Sequence, residues 1–524
     1  ELPKNWINDL DYFDFFEKMY ILESNLYIII LKMVTLQNLE THLMSCANVL
    51  WWKVDAVEYK NYILPLLFYK KISDDFSKDY DKNLSDFDEQ IANDKSMYKV
   101  YIPTGSRWED IRVITENIWE KLNTALKNIE QANLDKWDII EWIFDETDFN
   151  NKKKIQDSTL KKLIDKFSQY DFSQISWDLL WDAYEYLLKQ FAAGAGKKWG
   201  EFYTPAEVDD LLINILKPTE WNSIYDPTCW SGWMLIRSAH YLKENKKDPQ
   251  KLNLYWQEVN PTTYGLGKMN ILMHNLSGHI ALWNTLVNPK YLDKKFDIVI
   301  SNPPWNLSFD DISNEVESNA FWMYNFWIPS KSSADWLFIQ HMLWSTNEKW
   351  KLAIVLDNWV LFRWQKEWTI RENIIKQNLV EVVISLPENL FYNTTAPWCV
   401  VVINKNKSIE RKDKILFINA SNNTSDRVMY VKERNQNVLS QESIKYIHEI
   451  VESWEEVEGF SKFIDLEELK ENDFNLNVTR YVFDWEDEEE INIKEEYQNI
   501  LKLKEEKKTF EDKLENTLKE FELI

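Results

Sequence analysis

The spacing of apolar and polar positions divides this chain into stretches of different period. From residue 33 to about 165, apolar residues recur three and four apart. Both "LETHLMSCANVLWWKVDAVEYKNYILPLLFYKKISDDF" and "IRVITENIWEKLNTALKNIEQAN" predict helices. From about residue 200 the period shortens. Seven β-branched runs alternate with helical stretches: "NSIYDP", "NLYWQEVN", "HIALWNTL", "FDIVISNPP", "KLAIVLDN", "LVEVVISLP" and "CVVVINK". Strands separated by helices predict an α/β fold, with a mostly parallel, doubly wound sheet covered on both faces. Strand signals fade after about residue 425, although "DFNLNVTRYV" (473–482) has an ordered character. From Trp485 onward the chain is charged, with Ile491, Ile493, Tyr497, Ile500, Leu501, Leu514 and Leu518 at heptad-like spacing. That stripe predicts a C-terminal helix, either solvated or docked on a partner coiled coil.

The resulting division is a helical domain over 33–165, a sheet domain over 166–482 and a charged helical tail over 483–524. Residues 1–32, aromatic and irregular, are expected to precede the natural start. "LYIIILKMV" is too short to span a bilayer, so no membrane association is expected.

Composition changes this picture at one point. An ordinary chain of 524 residues carries about 7% glycine, roughly 37 residues. This one has 9 glycines and 27 tryptophans. The net charge of −25 argues against this chain alone gripping a phosphate backbone. Three scattered cysteines, Cys46, Cys229 and Cys399, suit neither a disulfide framework nor a zinc site, and a reducing, cytoplasmic setting is expected. His274 and His279 lie five apart with no second ligand pair, so no metal is expected. No GxxxxGK[ST] motif is present, which removes ATP hydrolysis from the candidate activities.

Ligands on doubly wound sheets bind at the carboxyl ends of the strands. The polar residues at those ends are Asp226, Glu258, Asn284 and Asn302. The most specific signal is "SNPPW" (301–305), directly after "FDIVI". The Asn302 carboxamide oxygen can accept from an amino group. Pro303 and Pro304 fix the backbone and leave the Pro303 carbonyl free to accept as well. Trp305 offers a flat face for stacking. Together they suit the exocyclic amine of a nucleobase flipped from a duplex.

"NPPW" resembles the target-base motif of amino-methyltransferases acting on adenine N6 or, less often, cytosine N4. More narrowly, residues 33–482 resemble the modification subunit of type I restriction–modification systems. "VDAVEYKNYILPLLFYKKISD" is similar to that family's helical N-terminal domain. "LLWDAYEYLLKQFAAGAGKKWGEFYTP" and "DNWVLFRWQKEWTIRENII" are similar to blocks of its catalytic domain. The resemblance implies a Rossmann-like methyltransferase sheet and methyl transfer from S-adenosylmethionine to adenine N6 of DNA. The implied partners are DNA, a specificity (recognition) subunit bound by two copies of this chain, and a restriction (nuclease and translocase) subunit. The other readings are a non-catalytic assembly subunit, and a methyltransferase for RNA or protein.

The family carries glycine where this chain has Trp52, Trp199, Trp230, Trp233, Trp256, Trp283, Trp350, Trp359, Trp364 and Trp368, whereas Trp108 matches a family tryptophan. UGA specifies tryptophan in some reassigned genetic codes and glycine in others. The expectation is therefore a gene in which UGA means glycine. The resemblance also distributes the cofactor site. Glu201, Phe202, Tyr203 and Thr204 would lie across the sheet's carboxyl edge. Asp226, Thr228, Trp230, Ser231, Gly232 and Trp233 would wrap the methionine moiety. Glu258 would accept from the ribose hydroxyls, and Asn284 stands where an adenine-binding Asp is more usual. If Trp230 and Trp233 are literal, an assembly role without catalysis is the alternative.

Overall fold

The computed structural model describes residues 35–50, 59–134, 155–180, 182–184, 186–187, 204–318, 323–391, 394–424, 426–433, 436–483, 498, 501–504 and 507–509. The N-terminal part is helical. Its main elements are α1 (Leu36–Ala47), α2 (Lys60–Asp86), α3 (Ile118–Ala132) and α4 (Asp157–Phe167). In α3 the residues Ile118, Leu122, Ala125, Leu126 and Ile129 are buried. That stripe of three- and four-residue steps explains why the segment is helical and which side faces the core. Trp108 anchors this region. Its ring is 1% exposed and lies against Tyr69, while its indole N–H donates to Ser168 Oγ at 2.9 Å.

The sheet domain begins with α5 (Ala206–Leu216) and places helices between strands: β1 (Ser223–Asp226), α6 (Trp233–Glu244), β2 (Asn253–Glu258), α7 (Pro261–Met273), β3 (Gly278–Leu282) and β4 (Phe296–Ser301). Next come α8 (Asp335–Ser345), β5 (Thr346–Asp357), α9 (Lys366–Lys376), β6 (Val380–Ser385), β7 (Trp398–Asn404) and β8 (Lys414–Asn419). The hairpin β9 (Tyr430–Glu433) and β10 (Gln436–Leu439), helix α10 (Gln441–Ser453) and β11 (Ser461–Asp465) follow.

All seven expected runs are strands, but the sheet has nine, in the order β11-β8-β6-β7-β5-β4-β1-β2-β3. The additions are β8, paired parallel to β6, and β11, paired antiparallel to β8. The expectation of seven strands is corrected accordingly. Strands β3, β2, β1, β4 and β5 are parallel neighbours, and β7 inverts the direction against both β5 and β6. Successive residues face opposite layers: Ile224 and Ile300 join one core, Tyr225 and Val299 the other. Burial on both faces is why these strands read as continuous apolar runs.

The strand order reverses around β1, which has β2 on one side and β4 on the other. A crevice at the carboxyl ends of β1 and β4 is the general consequence of that reversal. "DFNLNVTRYV" is ordered, as expected: Leu476, Val478, Tyr481 and Val482 are buried beside the sheet. Most of the tail, including Ile491, Ile493, Tyr497, Ile500, Leu514 and Leu518, lies outside the described residues, as do residues 1–32.

Candidate active site

At the end of β1 the chain turns sharply into α6. Asp226 Oδ1 accepts the Thr228 amide at 3.0 Å, and the Gly232 amide donates to the Cys229 carbonyl at 2.8 Å. Gly232 sits at φ +73, the left-handed region natural to glycine. From the neighbouring helix, Asn270 Nδ2 holds the Ser231 carbonyl at 2.9 Å. Glu258, ending β2, fastens the loop from the other side. Its Oε2 accepts the Trp230 amide at 2.9 Å, and its Oε1 accepts the Val259 and Asn260 amides at 3.0 and 2.8 Å. With the Thr263 side chain, these three amides hold the carboxylate in place at the end of the strand.

Strand β4 presents the other half. Ser301 Oγ lies 2.5 Å from Thr228 Oγ1, tying the two strand ends together across the crevice. Asn302 Nδ2 donates to Thr204 Oγ1 at 2.8 Å, which fixes the amide's orientation. Its Oδ1 is buried and accepts no hydrogen bond. Such an atom costs about 1–3 kcal/mol of desolvation unless a ligand donates to it. Trp305 packs its ring 3.6 Å from Trp398 and edge-on to Phe391. One face of the expected stacking platform is therefore already covered by protein.

The structure brings Thr204, Asp226, Thr228, Trp230, Ser231, Trp233 and Asn302 around one cavity, together with Asp209, Cys229 and Met234. Glu201, Phe202 and Tyr203 lie outside the described residues. Asn284 stands apart from this lining. Its Oδ1 caps a turn by accepting the Leu286 amide at 2.9 Å. Sequence reading quoted Ser301 within "SNPPW" but gave it no role, and missed Asp209, since nothing local distinguishes an aspartate in the helix after "YTP".

Electrostatics mark Asp226. Burial, opposed by the Thr228 amide and reinforced by the Glu258 charge, pushes its carboxyl up to about 8. Burial also raises Glu258. A cationic ligand group is what would return Asp226 to its ionised form. The sign follows from linkage. The folded chain keeps this proton while the unfolded chain loses it near 3.8, so Asp226 destabilises the fold increasingly between about pH 4 and 8. Asp226→Asn is therefore expected to raise Tm by a few degrees at pH 8 and by less at pH 5. Thermal melts at the two pH values check this; an equal or lower Tm at pH 8 refutes it. Burial and the Glu258 and Asp226 charges raise the Cys229 thiol, which favours its protonated, unreactive form.

The polar groups suit a nucleoside-sized, positively charged ligand, but the space does not. The cavity has about 30 Å³ free, room for one water, where sites for such ligands span roughly 300 Å³ or more. Trp230 and Trp233 are two of the ten residues that line it.

Residues 175–490 match the N-6 DNA methylase family, and residues 39–167 match the HsdM N-terminal domain family. The chain is 36% identical over 506 residues to the MjaVII type I restriction enzyme methylase subunit of Methanocaldococcus jannaschii, covering 92% of this chain and 84% of that one. It is 29% identical over 533 residues to the MpnII methylase subunit of Mycoplasma pneumoniae, covering 92% and 96%. The crystal structure of a type I restriction–modification methyltransferase subunit from Streptococcus thermophilus superposes with a TM-score of 0.74 at 29% identity, over 86% of this chain and all of that one. Parallel sheet, strand-end carboxylates and an Asn-Pro-Pro-Trp turn stand here in the frame these relatives share, and the chain belongs to the methylase subunits of type I restriction enzymes, with an adenine-specific N-6 DNA methyltransferase domain.

Proposed function

We propose that the crevice between β1 and β4 takes S-adenosylmethionine and a flipped adenine. Asp226, Thr228, Ser231, Gly232 and Glu258 would hold the cofactor, with Glu201, Phe202, Tyr203 and Thr204 beside it. Asn302, Pro303, Pro304 and Trp305 would hold the base. The observation that carries this reading is the buried Asn302 Oδ1, which accepts no hydrogen bond, beside a serine bridge to the Asp226 loop. When bound, the cofactor supplies an electrophilic methyl group on a sulfonium. The chain's own task is alignment and exclusion of water, so no general base needs to be assigned. Asn302 Oδ1 and the Pro303 carbonyl accept the two N–H bonds of the amine and favour lone-pair density on its nitrogen.

The reading requires glycine at 230 and 233. Support comes from backbone conformation as well as volume. Among the described residues, Trp221, Trp230, Trp327 and Trp454 have φ of 74, 48, 116 and 56. A bulky side chain there is strained by about 1–3 kcal/mol, and glycine is not. Trp283, Trp359 and Trp364 are more than half exposed. Trp256 buries an indole N–H without an acceptor, in contrast to Trp108. We infer that the host reads UGA as glycine; intact mass and peptide mass spectrometry of the native protein check it, and tryptophan masses at 230 and 233 refute it.

The acidic chain would borrow sequence recognition from a specificity subunit bound by two copies, with a restriction subunit completing the assembly. Incubating the natively encoded chain and its specificity subunit with labelled S-adenosylmethionine and DNA tests the whole reading. Label in N6-methyladenine is expected; its absence with an intact complex favours the assembly role.

A further inference from the structure

Away from the crevice, three side chains with metal-binding atoms converge from segments far apart in sequence. Asp178 lies on the helical turn 177–180, which precedes the sheet domain; His240 lies on α6; His274 caps the C-terminus of α7. One ligand atom from each falls within 4.8 Å of the others. His274 Nδ1 is 3.0 Å from Asp178 Oδ1, and the His240 and His274 rings are 5.2 Å apart at 64°. They border a cavity of about 400 Å³, also lined by Ser176, Trp177, Lys243 and Gln250.

We propose that Asp178, His240 and His274 bind one divalent zinc-class ion, with the fourth position open to this cavity. Tetrahedral zinc with bonds of about 2.0–2.1 Å sets its ligand atoms roughly 3.3 Å apart. The Asp178–His274 pair, at 3.0 Å, is already near that spacing, and the remaining separations, within 4.8 Å, need side-chain rotation to close by at most about 1.5 Å. Two imidazoles and one carboxylate are a donor set that zinc, cobalt and nickel accept, and that calcium and magnesium disfavour. Asp178 is also approached by Lys243, 3.5 Å away on a mostly exposed side chain that can swing into solvent. His274 and Asp178 already meet at 3.0 Å, and the proton they share is released to solvent when both bind the ion.

The ion would staple the segment leading into the sheet domain to α6 and α7. These are the helices that follow the Asp226 loop and the Glu258 turn. His279 is excluded: it stacks on Tyr255 at 4.8 Å on strand β3.

The test uses the full chain stripped with chelator and titrated with cobalt(II), then zinc(II), followed by visible absorption. One cobalt per chain with tetrahedral d–d bands is expected, displaced by zinc, with Tm rising by several degrees at saturation. Asp178→Ala and His240→Ala should each weaken binding at least about 100-fold, while His279→Ala leaves it unchanged. Asp178 is half exposed, so its variant is expected to fold and keeps the test decisive if His240→Ala does not. Absence of the d–d bands, or binding by the Asp178 and His240 variants as tight as the parent's, overturns the proposal. The readout involves no methyl transfer, so its failure and a failure of the crevice reading are told apart.

Discussion

Replacing Trp230 and Trp233 together by glycine is expected to turn a chain that scarcely binds S-adenosylmethionine into one that binds it with a Kd of about 10 μM. The gain is at least about 100-fold, or roughly 3 kcal/mol. It has two sources. Removing the indoles opens a cavity that now has about 30 Å³ free. Removing the side chain at 230 also releases a residue held at φ +48 by the Glu258 bond to its amide. That bond is made by the backbone, so the substitution keeps it. Isothermal titration of both forms measures the difference. A chain with both tryptophans that already binds at micromolar Kd would remove the volume argument and the case for glycine at these positions.

In the glycine form, assembled with its specificity subunit, Asn302→Ala should lower the methylation rate at least about 1,000-fold, some 4 kcal/mol. Cofactor affinity should change by no more than about threefold. The asymmetry follows from the hydrogen bonds. Asn302 points its donor at Thr204 and leaves Oδ1 without a donor, so its loss removes an acceptor for the base and spares Asp226, Thr228 and Glu258. Single-turnover methylation and cofactor titration of one preparation separate the two effects. Methylation above a tenth of the parent rate would refute the role given to Asn302. Loss of cofactor binding in parallel would make Asn302 part of the cofactor wall.

The seven main strands were legible because a strand buried on both faces needs an unbroken β-branched run, and "FDIVIS" or "CVVVIN" has no other stable use. The last two were harder to read. β11 buries only Ser461 and Ile464, so the edge position it takes beside β8 leaves little trace in its pattern. β8, "KILFIN", carries a clear apolar run, but its place beside β6 depends on a crossover that the run does not encode. The candidate residues show the same divide. Asp226, Glu258 and Asn302 were visible as polar residues ending apolar strands. That Asn284 caps a turn, and that Ser301 reaches Thr228, are matters of where chains meet in space.

By itself, then, the sequence determined the α/β class, the order of the strands along the chain and the Asn-Pro-Pro-Trp turn. It also exposed the anomaly of 27 tryptophans against 9 glycines. Each of these is written in local periodicity or composition. Only the tertiary structure decided which strands are neighbours, that the Asp226 loop leaves about 30 Å³, and that Asp178, His240 and His274 converge. The physical reason is common to all three. Register, cavity volume and ligand geometry arise from packing between segments tens of residues apart, and residue spacing along the chain carries no record of those distances.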